Sequence, residues 1–452
     1  MLWSSEDLKA ALNVPVIDGI AATGVSIDTR TLQPHDLFIA ITGEHSDGNK
    51  FVDPAFAKGA AAAIISAPSS HPRTILTNDT TAALQKLAAF SRKRFQGTLI
   101  ALTGSVGKTT AKEMLLHCLH RQKPSFATTG NLNNHFGVPL TLSRLPADTD
   151  YAIIEMGMNH GGEIAPLSLL AQPHLALITT IAPVHIGNFS DGLEGIANAK
   201  AEIFAGLKPD GIAILPQDAP YFETLTRAAN AHKIITFGNR SQADCQLLST
   251  TYTAETVAVT ARVADTTHQF VLSTPNVALV HNALATLAVC YAIGADVSAA
   301  ANALKTYTPL YGRGTVQTVT VSGKTLTLID ETYNASAASV IAALETLGRR
   351  TTKGRRIAVL GDMLELGEHS DALHLSLVPT LEKAGIDKVF TAGVAMQKVF
   401  ARLPKHQQGI AAPTAEILAP LLLDALESGD TVMVKGSAGM KMQTILKTTI
   451  IQ

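Results

Sequence analysis

TLIALTGSVGKTTAKEMLLHCL, residues 98–119, decides how this 452-residue chain is read. TLIAL (98–102) has the pattern of a buried strand, TGSVGKTT (103–110) is a glycine-containing turn, and an amphipathic helix begins at Lys108. A glycine loop between strand and helix converges backbone N–H groups on anionic oxygens, and the helix N-terminus adds partial positive charge. Lys108 is placed to neutralise β/γ-phosphates and Thr109 to offer a hydroxyl to Mg²⁺. The strict GxxxxGK[ST] string is not met, because Leu102 occupies its first glycine position. The expected ATP loop is therefore Thr103, Gly104, Ser105, Val106, Gly107, Lys108, Thr109 and Thr110. Taken alone, it suits many phosphate chemistries.

Apolar runs continue the strand series on either side. YAIIEMG (151–157), LALITTIA (175–182), GIAIL (211–215) and KIITFG (233–238) alternate with helical segments, which predicts a parallel sheet with helices on both faces. The β-rich alternation from Cys245 to Leu272 predicts antiparallel hairpins beside that sheet, and Val277–Gly294 a buried helix. TLTLID (325–330), RIAVLG (356–361), KVFTAG (388–393) and TVMVKG (431–436) predict a second doubly wound unit. VSIDT, DLFIAI and AAIIS, separated by Gly and Pro turns, predict a small mixed domain at the start. The expected class is α/β in three domains: 1–83 small and mixed, 84–312 a central phosphate-loop sheet with hairpins, and 313–452 a Rossmann-like unit.

The bulk numbers narrow the function classes. A net charge of −1 and only 16% charged residues give no basic field for nucleic acid or an anionic membrane, while 46% hydrophobic residues suit well-filled cores. Cys118, Cys245 and Cys290 are odd in number and far apart, so reduced core thiols are expected. The start MLWSSEDLKAAL lacks a basic n-region, and no apolar run reads as a membrane span. A soluble cytoplasmic protein is expected.

Ligands of doubly wound folds sit beyond the carboxyl ends of the strands. Glu155 closes YAIIE there, and His185 follows the 175–182 run. With Thr109 they are candidate Mg²⁺ ligands, although His is a less usual partner for magnesium. Each alone is also compatible with a structural role. Lys200, in NAKAEIF, reads from its surroundings as a lysine on a solvated helix face. Arg313, in YGRG at the domain junction, is placed to reach an ATP phosphate or to form a hinge ion pair.

These strings resemble the Mur ligases, ATP-dependent amide-bond-forming enzymes of peptidoglycan assembly, over essentially the whole chain. TGSVGKTT resembles their ATP loop, IEMGMNHGGEI (154–164) their metal-binding strand end, and AKAEIF (199–204) the segment whose lysine is carbamylated in several members. Four further stretches resemble the branch that joins D-alanyl-D-alanine to a UDP-MurNAc-tripeptide: SIDTR (26–30) with PHDLFIAITGEHSDGNKF (34–51), TTGNLNNHFGVPLTLSRL (128–145), IDETYNASAAS (329–339) and GDMLELGEHS (361–370).

The resemblance implies Lys108, Glu155, His185 and a carbamylated Lys200 as catalytic groups. Two Mg²⁺ would be held by Thr109, Glu155, His185 and that carbamate. Asn282 and Arg313 join the loop in binding ATP. Ser26, Asp28, Thr29 and Arg30 would bind the UDP moiety; Asn131, Asn133 and Asn134 the peptide or uridine-linked substrate, unless they only shape a turn; and Tyr333, Asn334 and Asp362 would face the central site from the third domain. That domain is expected to close on ATP and carry D-alanyl-D-alanine, in a monomer. The chain departs from the family pattern at several places. Ala278 and Leu279 replace a His-Asn pair on the adenine side, with His281 three residues displaced. Pro216 follows GIAIL in place of Asn, Gly187 replaces an acid after His185, and KGSA (435–438) lacks a final Arg near Lys441.

Overall fold

The computed structural model describes residues 1–43 and 46–450, so Glu44 and His45 of the quoted 34–51 stretch lie outside the described residues. Three sheets form the three expected units, with a two-stranded ribbon, Trp3–Ser4 and Ala21–Ala22, beside the first. In the first unit, Gly24–Ser26, Asp36–Ile39, Ala62–Ile65 and Thr74–Leu76 pair in parallel in that order.

The central sheet has nine strands. Thr98–Thr103 lies between Leu175–Ile178 and Tyr151–Glu155, both parallel to it, and Ser125–Ala127 flanks Tyr151–Glu155. On the other side Ile212–Pro216, Lys233–Gly238 and Cys245–Tyr252 continue in parallel, followed by the antiparallel Val257–Val263 and Thr266–Leu272. The expected 175–182 strand stops at Ile178. From there the chain bends onto the phosphate loop: the Thr179 N–H donates to the Thr103 carbonyl, and the Ser105 N–H to the Thr180 carbonyl, each at 2.9 Å. The three cysteines are free and buried.

The third sheet has six strands, two more than the four expected. Thr315–Val321 pairs antiparallel with Lys324–Glu331 at one edge, and Gln408–Ala412 closes the other edge beside Lys388–Ala392. Both are edge strands: Thr315–Val321 exposes most of its side chains, and Gln408–Ala412 is a short, half-buried QGIAA, so neither carries the continuous apolar run that marks a buried strand. The 83/84 boundary falls inside the helix Thr80–Arg94. Its Ala83, Leu84 and Leu87 pack with Trp3 and Leu8 of the first unit, and its Ala88 packs with Leu99 and Ala101 of the central one. A shared helix therefore joins these two units. Among the described residues no helix is long and apolar enough to cross a membrane.

Candidate active site

Gly107 ends the phosphate loop at φ +87, where only glycine sits without strain, and a Cβ there would stand 2.6 Å from the Asn282 Oδ1. The helix Lys108–Leu119 follows at once. The Lys108 Nζ donates to the Gly104 carbonyl at 2.8 Å. Burial pulls the Lys108 ammonium pKa down, Glu155 opposes that shift, and Arg313 adds to it. The Thr109 hydroxyl donates to Glu155 Oε1 at 3.2 Å and accepts from the Arg313 Nη2 at 3.0 Å. The Asn133 amide donates to the same Oε1 at 2.8 Å.

Among the described residues Arg313 forms no ion pair. Its guanidinium lies 3.7 Å from the Tyr333 ring centroid. It thus ties the phosphate loop to the third domain, whose Lys435 donates to Glu331 and to the Asn334 carbonyl nearby. A cavity of about 290 Å³ gathers these groups: Ser105 to Thr110, Asn131, Asn133, Glu155, His185, Asn282, Arg313, Tyr333 and Asn334 all line it. Thr103 is buried beneath it at the strand end.

The remaining predicted residues sit elsewhere. Ser26, Asp28, Thr29 and Arg30 line a separate cavity of about 1040 Å³ in the first unit, where Arg30 binds Asp28 and holds its carboxyl below the usual range. Asn134 caps a turn by accepting from the Phe136 and Gly137 N–H groups, and it lines a third cavity with His135 and Glu163. Asp362 accepts from the Ala395 and Met396 N–H groups at the start of the helix Val394–Arg402. It is occupied as a cap and is not among the cavity's lining residues. The segment 129–135 touches all three cavities in turn, Thr129 and Leu132 the second, Asn131 and Asn133 the first, Asn134 and His135 the third.

Lys200 overturns its solvated-face reading: it is 2% exposed. Burial, reinforced by Lys108, pushes its ammonium pKa well below the ordinary lysine value, against the pull of Glu163 and Glu202. Burial also pushes the His185 imidazole down although Glu365 lies beside it. His281, displaced from the expected adenine contact, donates through Nε2 to the Thr179 carbonyl at 2.9 Å and packs on Phe237. Ala278 and Leu279 give the cavity an apolar wall at that end.

Whether the donors fit Mg²⁺ rests on Glu155. Among the described residues its buried Oε2 has no hydrogen-bond partner, while Oε1 accepts two. A buried carboxylate oxygen left open beside a threonine hydroxyl suits a hard cation. Among the described residues no cluster of three His, Cys, Asp or Glu forms, so water and phosphate oxygens would complete the shell.

Sequence reasoning missed Lys112. It is four residues after Lys108, hence on the same helical face. It is fully buried, its Nζ donates to the Thr128 and Gly130 carbonyls at 2.6 and 2.7 Å, and it lies 3.9 Å from Glu155 Oε2. The ammonium clamps the 128–131 segment to the helix that carries the phosphate loop. Lys112→Met leaves two carbonyls without their donor and removes the ammonium beside the buried Glu155, so unfolding free energy should fall by about 3–5 kcal/mol. Denaturant unfolding measures this, and a change under about 1 kcal/mol would rule the clamp out.

A phosphate loop at the end of a parallel sheet, closed over by a second doubly wound domain, defines an ATP-dependent ligase fold of the Mur type. The models of the Mur ligase family catalytic domain, the Mur ligase middle domain and the Mur ligase glutamate ligase domain match residues 21–96, 102–290 and 312–438. The chain belongs to the Mur ligase family. It is 32% identical over 456 residues to the UDP-N-acetylmuramoyl-tripeptide–D-alanyl-D-alanine ligase of Rickettsia prowazekii, covering 99% of each chain. It superposes on a crystal structure of MurF from Acinetobacter baumannii with a TM-score of 0.87 at 29% identity, covering 100% of this chain and 99% of that one. The MurF ligase of Thermotoga maritima in complex with ADP superposes with a TM-score of 0.78 at 26% identity, covering 96% and 98%.

Proposed function

We propose that this chain joins D-alanyl-D-alanine to UDP-MurNAc-tripeptide at the expense of ATP, as a cytoplasmic monomer. The observation that carries the reading is the single cavity in which the phosphate loop meets Arg313 and Tyr333. The tripeptide carboxylate attacks the γ-phosphate, ADP leaves, and an acyl phosphate forms. The dipeptide amine then attacks that carbonyl, and the tetrahedral intermediate loses phosphate and a proton to give the amide.

A carboxylate approaching a triphosphate meets like-charge repulsion, so positioned cations supply most of the catalysis. Lys108 and the loop N–H groups hold the β/γ-phosphates, with Arg313 reaching in from the domain junction. Mg²⁺ supplies further charge neutralisation when bound, and Thr109, Glu155, His185 and a carbamylated Lys200 would hold two ions. Asn131 and Asn133 orient the peptide end, Ser26 to Arg30 the UDP end, and Tyr333 with Asn334 the dipeptide. Asn282, against Gly107, supports the loop.

The test is phosphate release with UDP-MurNAc-tripeptide, ATP and Mg²⁺, comparing D-alanyl-D-alanine with diaminopimelate, lysine and glutamate. Turnover with the dipeptide alone is the expected result. Turnover with a single amino acid instead, or with none of the four acceptors, would overturn the reading.

A further inference from the structure

The third domain touches the central one at the turn that carries His185, through a residue, Glu365, to which the proposed function gives no part. Its segment 361–370 sits on the turn 183–188. The His185 Nδ1 meets the Glu365 Oε2 across the boundary, and the Gly187 N–H donates to the Glu365 carbonyl at 3.3 Å. Beneath them backbone lies on backbone: a Cβ at Gly187 would stand 2.8 Å from the Gly367 nitrogen. His185 and Glu365 both adopt left-handed backbone, at φ +58 and +63, which persists in ordinary residues only where the surroundings impose it.

A carboxylate bound to one ring nitrogen of a histidine fixes its tautomer and orientation and leaves the other nitrogen for a ligand. Among the described residues nothing bonds to His185 Nε2, and the ring lines the cavity. We propose that Glu365 is a positioning residue supplied across the domain boundary, which orients His185 only when segment 361–370 is seated on Gly187. Domain closure and completion of the site are then one event. Gly187 has no side chain because the seated backbone occupies its space. The inference rests on the reading of His185 as a site residue.

The test uses the full chain with three variants. Gly187→Ala adds one methyl against a backbone that has no flexible side chain to yield. Small-angle scattering with ADP and the UDP-linked substrate should show wild type compacting and Gly187→Ala failing to do so, with kcat about tenfold or more lower and the KM for ATP little changed. Glu365→Ala should cost about 10–100-fold in kcat, and Glu365→Gln, which keeps a hydrogen-bonding side chain, should recover part of it. The double variant His185→Ala/Glu365→Ala should be no slower than His185→Ala alone. A contact that only stabilises the fold would lower the melting temperature and leave kcat unmoved. That result, multiplicative losses in the double variant, or normal compaction of Gly187→Ala would each overturn the proposal. If wild type forms no amide, the proposed function fails, while the scattering comparison still decides whether Gly187 gates closure.

Discussion

Lys108→Ala is expected to lower kcat for amide formation by about 10³-fold, the scale of removing a group that stabilises developing charge in a water-poor site. Lys108 lies in the cleft among protein atoms, with the Gly104 carbonyl as its hydrogen-bond partner, and its charge is disfavoured by burial. A cation held there without substrate is kept at a cost to the fold. The isosteric Lys108→Met should therefore unfold within about 1 kcal/mol of wild type, or at higher denaturant, while being equally inactive. Phosphate-release kinetics and denaturant unfolding, run side by side, separate chemistry from collapse. Activity within about tenfold of wild type in Lys108→Ala would sink the mechanism.

The second large effect is expected at Lys200, where Lys200→Ala should lose about 10–100-fold, as when the supporting groups of a metal site are removed. Carbamylation joins a neutral amine to CO₂ with release of one proton. Burial and the neighbouring Lys108 favour that neutral amine. Lys200→Arg should fail equally, because a guanidinium stays charged, whereas added formate or acetate should restore part of the Lys200→Ala activity by standing in for the carbamate. ¹³C-bicarbonate should give a carbamate resonance in wild type that Lys200→Ala lacks. The pH dependence has a definite sign. A lysine pKa lowered by folding means that the folded state binds its proton more weakly than the unfolded chain does. In bicarbonate-free buffer this group should therefore add stability as pH rises from its depressed folded value toward about 10.4, and the gain should vanish below that folded value. A full-activity Lys200→Ala would end the carbamate proposal.

Much of this architecture was legible because buried strands and phosphate loops are written in local patterns. TLIALTGSVGKTT carries its strand, turn and helix start within thirteen residues, and the buried strand Tyr151–Glu155 delivers Glu155 where its apolar run ends. The edge strands Thr315–Val321 and Gln408–Ala412 escaped notice because neither has a continuous apolar run: the first interleaves Thr and Gln on exposed faces, and the second is a short QGIAA. Lys200 was misjudged for a related reason: charge argues for exposure, and only packing shows that a lysine has been enclosed. Lys112 and Glu365 depend on contacts 16 or more residues away in the chain, with Thr128, Glu155 and His185. Lys112 at least shares the helical face of Lys108. Glu365 lies in a stretch whose family resemblance was plain but whose partner was not.

The segment 129–135, pinned by Lys112, borders three cavities, and the helix Thr80–Arg94 locks the first unit to the second. Together they behave as a caliper. In the proposed function its jaws are the cavity lined by Ser26 to Arg30 and the phosphate loop, and the helix that spaces them belongs to both cores and not to the third domain. On the proposed reading, a peptide one residue short, about 3.5 Å in an extended chain, would anchor its nucleotide correctly and still hold its carboxylate out of reach of the γ-phosphate. Selection among precursors would then be by length, enforced by this frame before any side chain is inspected.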